Sequence, residues 1–348
     1  MLSLRGVAEA NMSKKKKKIN IDIDIKSSTT LEKPVVKTAE EKSNGDGVSR
    51  DLMKFKFWYL AFSALIIIPG LISLSVFGFK TSIDFTGGSV LKFSRQDGTW
   101  DKNSVEQVFK DRGVEVASIT LEDGGKSASI RTKPIDANKN EEIKTSIALS
   151  PSIQQTSFET VGPSIGAETV KKSLVALVIA CVGIVLYIAY AFRNVPKPFS
   201  SLRFGISAIL AMIHDALVVL GVFAILGHFK GVEIDPMFIT ALLTIIGFSV
   251  HDTIVVFDRV RENLGRFKGK SIEWIANYSI LETMRRSIAT SVTVAITLTA
   301  LFVFGGASIK WFVFALLIGV ISGTYSSIFN ATPILVIWED FLGRHNRK

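Results

Sequence analysis

His251 and Asp252 stand side by side inside an apolar run that opens at Met237-Phe238-Ile239 and ends in the charged stretch Asp258-Arg259-Val260-Arg261-Glu262-Asn263. A carboxylate within a membrane helix costs about 2.5–3.5 kcal/mol on insertion scales, so it reads as functional and in need of a partner. If the helix leaves the membrane near Phe257, Asp252 lies about 8 Å inside the boundary at 1.5 Å per residue. Ser249 is one turn earlier on the same face, and Thr253 is adjacent. The candidate partner is Arg286, which opens the next apolar run and is followed on the same helix face by Thr290, Thr293 and Thr297. An Asp and an Arg at similar depth on consecutive antiparallel helices can pair directly. Desolvation and a neighbouring arginine act on a carboxyl in opposite senses, so a small movement could load or release a proton. A threonine stripe could hold water along the way. The blander alternatives are a static ion pair or an arginine that snorkels to lipid phosphate.

A second couple, His214-Asp215, sits in the preceding apolar run. It is either a relay element or a hydrogen bond that packs helices. Gly319, Gly323, Ser327 and Ala331 share one face of the last apolar run in small-xxx-small spacing, which permits close helix packing.

The elements that must position these groups are six apolar segments, each long enough to cross a hydrocarbon core of about 30 Å. They cover residues 57–79, 170–192, 204–226, 236–257, 287–304 and 311–337. Amphipathic residues 271–283 could extend the fifth helix beyond the membrane. Basic residues cluster in alternate loops: Arg193, Lys197 and Arg203, then Arg259, Arg261, Arg266, Lys268 and Lys270, then Arg344, Arg347 and Lys348. They fall on the same side as Arg50, Lys54 and Lys56, so both termini are expected to be cytoplasmic. The chain therefore reads as a polytopic α-helical membrane protein with short terminal tails, the last at 338–348.

Composition supports this class and excludes others. The 348 residues are 48% hydrophobic and still carry a net charge of +10, a combination natural to a membrane protein with basic loops. The single cysteine, Cys181, rules out an intrachain disulfide, and the four scattered histidines lack metal-ligand spacing. There is no phosphate-binding GxxxxGK[ST] and no nucleophile–base pair, so neither a cofactor nor a catalytic activity is expected. Residues 1–56 are polar, lack a signal-peptide core and read as a disordered cytoplasmic tail. The run Lys14-Lys15-Lys16-Lys17-Lys18 could meet anionic lipid or ribosomal RNA, but reads first as a solvated tract, and no nucleic-acid partner is expected.

A polar insert, 80–169, separates the first and second spans and is expected outside. Strand-like alternation at 89–94, 117–122, 128–132 and 153–160 is interleaved with helical spacing at 103–113 and 138–149. That β-α-β-β-α-β order implies a ferredoxin-like α+β sandwich. The insert opens with Asp84-Phe85-Thr86-Gly87-Gly88, whose paired glycines allow a tight turn or a close backbone approach.

Together these stretches resemble the SecF family, the smaller membrane subunits of the bacterial SecD–SecF complex that assists the protein-export translocon. The resemblance spans roughly 52–342 and is carried by the Asp-Phe-Thr-Gly-Gly start of the insert, its Val161-Gly162-Pro163-Ser164-Ile165-Gly166 end, the segment from His251 to Asn263, and the six-span layout. It implies a resistance-nodulation-division architecture of two pseudo-symmetric six-span halves in the bacterial cytoplasmic membrane. It also implies use of the proton-motive force to promote export, with a SecD-like subunit, the SecYEG translocon, exported polypeptide and membrane lipid as partners. By the same resemblance Asp252 and Arg286 belong to the proton pathway. His251 stands where the family usually has Asn, which bears on how Asp252 is tuned. Two other readings are a half-size exporter of lipid or small molecules from the same superfamily, and a scaffold whose charges are structural.

Overall fold

The computed structural model describes residues 51–147 and 152–345. The lysine run Lys14–Lys18, Arg50, the end of the helix expected over 138–149, and the terminal Arg347 and Lys348 lie outside the described residues.

Six helices are long and apolar enough to cross a membrane: Met53–Phe77, Pro163–Ala191, Ser201–Lys230, Pro236–Arg266, Ile272–Phe304 and Lys310–Phe341. In chain order the helical elements are α1 (Lys56–Phe77), a single turn α2 (Ile83–Thr86), α3 (Lys102–Asp111), α4 (Ala137–Ile147), α5 (Pro163–Ala191), α6 (Ser201–Lys230), α7 (Pro236–Arg266), α8 (Ile272–Phe304), α9 (Lys310–Ser326) and α10 (Thr332–His345). Several outlast their apolar runs for local reasons. α5 begins at Pro163, where proline's fixed φ and missing N–H suit the first helical position. α8 begins at Ile272 because the Ser271 side chain caps the Trp274 amide. α7 continues through its charged end, where Arg259 and Arg261 pair along the helix with Glu262 and Asp258. The last span is one rod with a π-turn, Ser327–Ala331, between α9 and α10.

α6, α7 and α9 form the inner trio, while α1, α5 and α8 expose most of their apolar surface. At one end Phe192, Phe204 and Phe257 meet with ring centroids 5.3–5.8 Å apart. At the other, Phe223, Phe238, Ile245 and Ala315 form a second buried cluster. The small-residue face of the last span serves packing within the chain: Gly319 meets Ile245, and Gly323 meets Ser249. α1 runs through Pro69, and Gly70 crosses Gly221 of α6 so closely that a Cβ on either would lie 2.7 Å from the other's Cα.

Between α1 and α5, β1 (Gly88–Arg95), β2 (Val116–Glu122), β3 (Ser127–Thr132) and β4 (Ile153–Val161) form one antiparallel sheet in the order β2-β3-β1-β4. The β2–β3 turn uses Asp123, Gly124 and Gly125, all with positive φ. One sheet face, with Leu91, Phe93, Ala128 and Ile130, packs against Val105 and Phe109 of α3 and Ile143 and Ile147 of α4. This is the ferredoxin-like arrangement expected from the element order.

Gly221→Leu is expected to wedge α1 from α6 and to cost about 1–3 kcal/mol, the range for overpacking a tight contact. The measurement is the thermal midpoint of purified protein in detergent; an unchanged midpoint would show that the crossing tolerates a side chain.

Candidate functional site

The centre of the inner trio holds two buried carboxylates, Asp215 on α6 and Asp252 on α7, 0% and 3% exposed respectively. Their surroundings differ sharply. Asp215 receives four hydrogen bonds: from Ser249 of α7 at 2.5 Å, from Ser322 and Ser326 of α9 at 2.6 and 2.5 Å, and from His214 Nδ1 at 3.0 Å. Each oxygen has two of these partners. The His214 ring lies 6.4 Å from that of Tyr325, and its Nε2 is buried without a hydrogen-bond partner among the described residues.

Asp252 has fewer partners, the hydroxyls of Thr324 and Ser291. Thr324 Oγ1 of α9 stands 3.5 Å from its Oδ2, beyond the usual O–H···O range, and is itself 2.5 Å from Ser291 of α8. Thr253, the next residue, hydrogen-bonds to Ser327 at 2.9 Å. α7 and α9 are thus fastened tightly next to Asp252, through Thr253 and Ser327, and only loosely to it. An open, apolar cleft of about 280 Å³ runs between α8 and α9, lined among others by Ile288, Ser291, Val320, Thr324 and Phe329, and reaches the two hydroxyls beside Asp252.

The expected direct pair between Asp252 and Arg286 is not formed. Arg286 is exposed and makes no ion pair among the described residues. The reason is rotational. α8 turns Ser287 and Ser291 into the bundle, so Arg286 and Thr290, each one residue earlier, point about 100° away. Thr290, Thr293 and Thr297 are exposed with Arg286, and their hydroxyls bond back to carbonyls of their own helix at 2.8–3.1 Å. The threonine stripe therefore faces whatever lies beside α8 and lines no channel within this chain. His251 is exposed too, on the flank of α7. Ser249, expected beside Asp252, serves Asp215 instead.

The Asp84–Gly88 motif is placed at the junction of sheet and bundle. Ser82 donates to Asp84 Oδ2 at 2.9 Å, and Phe85 packs on the cluster of Phe223 and Phe238. Gly87 and Gly88 take positive φ of 72° and 130°, and a Cβ on Gly87 would sit 2.9 Å from Pro163 Cα. A Cβ on Gly166 would meet Gly87 N at 2.9 Å, so the start and end of the insert lock backbone to backbone. Nearby, Asp235 caps α7 by accepting the Phe238 amide at 2.8 Å. Burial, with Asp84 close by, holds the Asp235 carboxyl above its usual range despite that bond.

Sequence reasoning missed Ser322, Ser326, Thr324 and Ser291. The available signal was two serines four residues apart in the last apolar run, at a depth to meet a buried aspartate. Among the described residues no cluster of His, Cys, Asp and Glu could hold a metal ion.

Residues 141–340 match the family model for protein export membrane protein SecD/SecF, C-terminal. The protein translocase subunit SecF of Thermobaculum terrenum is 47% identical over 305 residues, covering 84% of this chain and 95% of that protein. The SecF of Synechocystis sp. is 34% identical over 315 residues, covering 85% and 96%. Among solved structures, SecDF from Thermus thermophilus, a translocon-associated membrane protein, superposes with a TM-score of 0.71 at 29% identity, covering 85% of this chain. This chain spans 40% of that SecDF chain. A half-size lipid or drug exporter is not favoured by these matches.

Asp215→Ala would strand three hydroxyls and an imidazole in the core, and is expected to lower stability by about 3 kcal/mol. Asp215→Asn keeps one acceptor and should lose less. Denaturant titration of the detergent-solubilised protein reads both; equal stability for Ala and native would show that the hydroxyls re-pair on their own helices.

Proposed function

Because the chain belongs to the SecF family of protein translocase subunits, we propose that it promotes polypeptide export as the proton-coupled partner of a SecD-like subunit, with Asp252 as the group that takes up and releases the proton. The contrast between the two buried carboxylates carries this reading. Asp215 has four donors from three helices on its two oxygens. Asp252 has only the hydroxyls of Thr324, at 3.5 Å, and Ser291 beside it, and so is the freer of the two to exchange a proton. His214 and Asp215 thus fasten α6 to α7 and α9 as a fixed polar pin, and do not serve as a relay station.

Arg286 acts from the flank. Ser291, at the edge of the Asp252 pocket, is five residues further along α8, about 7.5 Å of rise and about 140° around the helix, so Arg286 serves the route from outside the pocket. Arg286, Thr290 and Thr293 face outward, where a second six-span half would complete the route. His251, exposed beside Asp252, offers a titratable neighbour on the same flank. A match to 40% of a SecDF chain is consistent with one half of such an assembly. A proton crossing about 150 mV releases about 3.5 kcal/mol, enough to bias a two-state movement a few hundredfold.

The basic loops put both termini on the cytoplasmic side and the sheet domain outside, where it would meet the emerging polypeptide. A SecYEG-type translocon and membrane lipid are the remaining partners. The role is that of a non-catalytic subunit.

The test is export of a secreted reporter in cells depleted of the native protein and complemented with Asp252→Asn at matched membrane abundance. Export is expected to fall to the depleted level while co-purification with the SecD-like subunit persists. Full export by Asp252→Asn would refute proton coupling at this residue and favour a scaffold.

A further inference from the structure

α7 links two places that the chain's sequence keeps apart. Asp252 lies midway along it, and from Pro236 to Asp252 the helix runs without an internal proline or π-turn for 16 residues, about 24 Å. Its start is rigid, with Asp235 as cap and Pro236 at the first helical position. Immediately before that cap, residues 232–234 are stapled to the segment that leads from α1 into the sheet domain. Ile234 N donates to Lys80 O at 2.7 Å and Ser82 N donates to Ile234 O at 2.9 Å, a short parallel bridge.

Beside this bridge Glu233 is forked by two cations. Lys80 Nζ lies 3.5 Å from one carboxylate oxygen and Arg131 3.2 Å from the other. Arg131 belongs to β3, in the middle of the domain, and its guanidinium also donates to Thr81 O at 2.8 Å. One carboxylate thus gathers the loop before α7, the strand-like exit from α1, and the sheet. The covalent connections of the domain run through α1 and α5, and the Gly87–Gly166 lock holds it to α5. To the bridge and the Phe85 contact the Glu233 fork adds an ionic link between the sheet itself and the loop that leads into α7.

We propose that Glu233, with Lys80 and Arg131, is the coupling contact through which a displacement of α7 at Asp252 is delivered to the sheet domain. The inference rests on the reading of Asp252 given above and adds the route by which its effect leaves the membrane. Each ion pair alone is partly exposed and weak. Two cations from different elements on one carboxylate, braced by two backbone bonds, fix a direction that a single pair does not. α7 then moves the domain as a rod moves a plate to which it is pinned, and the contact stays closed throughout the cycle.

The test uses the full-length protein in cells depleted of the native copy, with export of a secreted reporter as the readout at matched abundance. Glu233→Arg is expected to reduce export about fivefold or more, within the range of ordinary coupling energies, with co-purification of the SecD-like subunit unchanged. The combined Glu233→Arg, Lys80→Glu and Arg131→Glu swap should restore it. Undiminished export by Glu233→Arg overturns the inference, as does a loss that the swap fails to rescue. A second arm places Glu233→Cys with Arg131→Cys in a Cys181→Ala background, which lacks the fork and should export poorly, and joins the two with a short bismaleimide. The link should restore export, and failure to restore it would overturn a contact that works while closed. Asp252→Asn measured alongside separates the two ideas. Normal export there removes the proton reading itself, whereas loss there with normal export by Glu233→Arg removes only the route.

Discussion

A charged group inside the α6–α7–α9 trio finds only neighbouring side chains for a solvent, and the arrangement of the bundle follows from how that requirement is met. Asp215 meets it in full, drawing hydroxyls from two other helices and an imidazole from its own. Buried polar groups that are completely satisfied specify a unique packing, because a shift of either partner helix strands a donor. Small residues make the geometry possible. Gly323 lets α9 approach Ser249 closely enough for serine, the shortest hydroxyl side chain, to reach the carboxylate. Asp252, one helical turn from Ser249, then sits in a wall whose position is already determined, with only the hydroxyls of Thr324 and Ser291 beside it.

Much of this could be read from residue types. Runs of twenty apolar residues admit few other interpretations, and the strand-helix alternation of the insert led to its sandwich. The fate of Arg286 could not be read. Periodicity groups Arg286 with Thr290 and Thr293 on one face, but it is silent on which face turns inward, and the neighbouring series Ser287 and Ser291 packs against α9. The serines around Asp215 were hidden for a related reason. In a glycine-rich stripe a serine reads as one more small residue, and only the depth of Asp215 on another helix gives it a role. Glu233 was equally mute, an acidic residue in a short loop whose partners lie about 100 to 150 positions earlier in the chain.

The junction between sheet and bundle is built from backbone. Gly87 and Gly166 leave no side chain between the start of the insert and the first turn of α5, so main-chain atoms set the distance. Phe85 then fills the one gap that opens toward α6 and α7.

The π-turn at Ser327–Ala331 gives the last rod a change of phase. An extra residue in one turn rotates everything beyond it by about 100° relative to an unbroken α-helix. Before the turn, Gly319 and Gly323 face α7; within it, Asn330 reaches sideways to Ser63 of α1; after it, Glu339 pairs with Arg203 of α6. A single helix therefore addresses three neighbours in succession, as a key cut with differently aligned wards. Were the turn to tighten into regular helix, Asn330 and Glu339 would rotate away from Ser63 and Arg203 while the half before it kept its contacts. The rod is consequently a place where the register of one end can change only at the expense of the other.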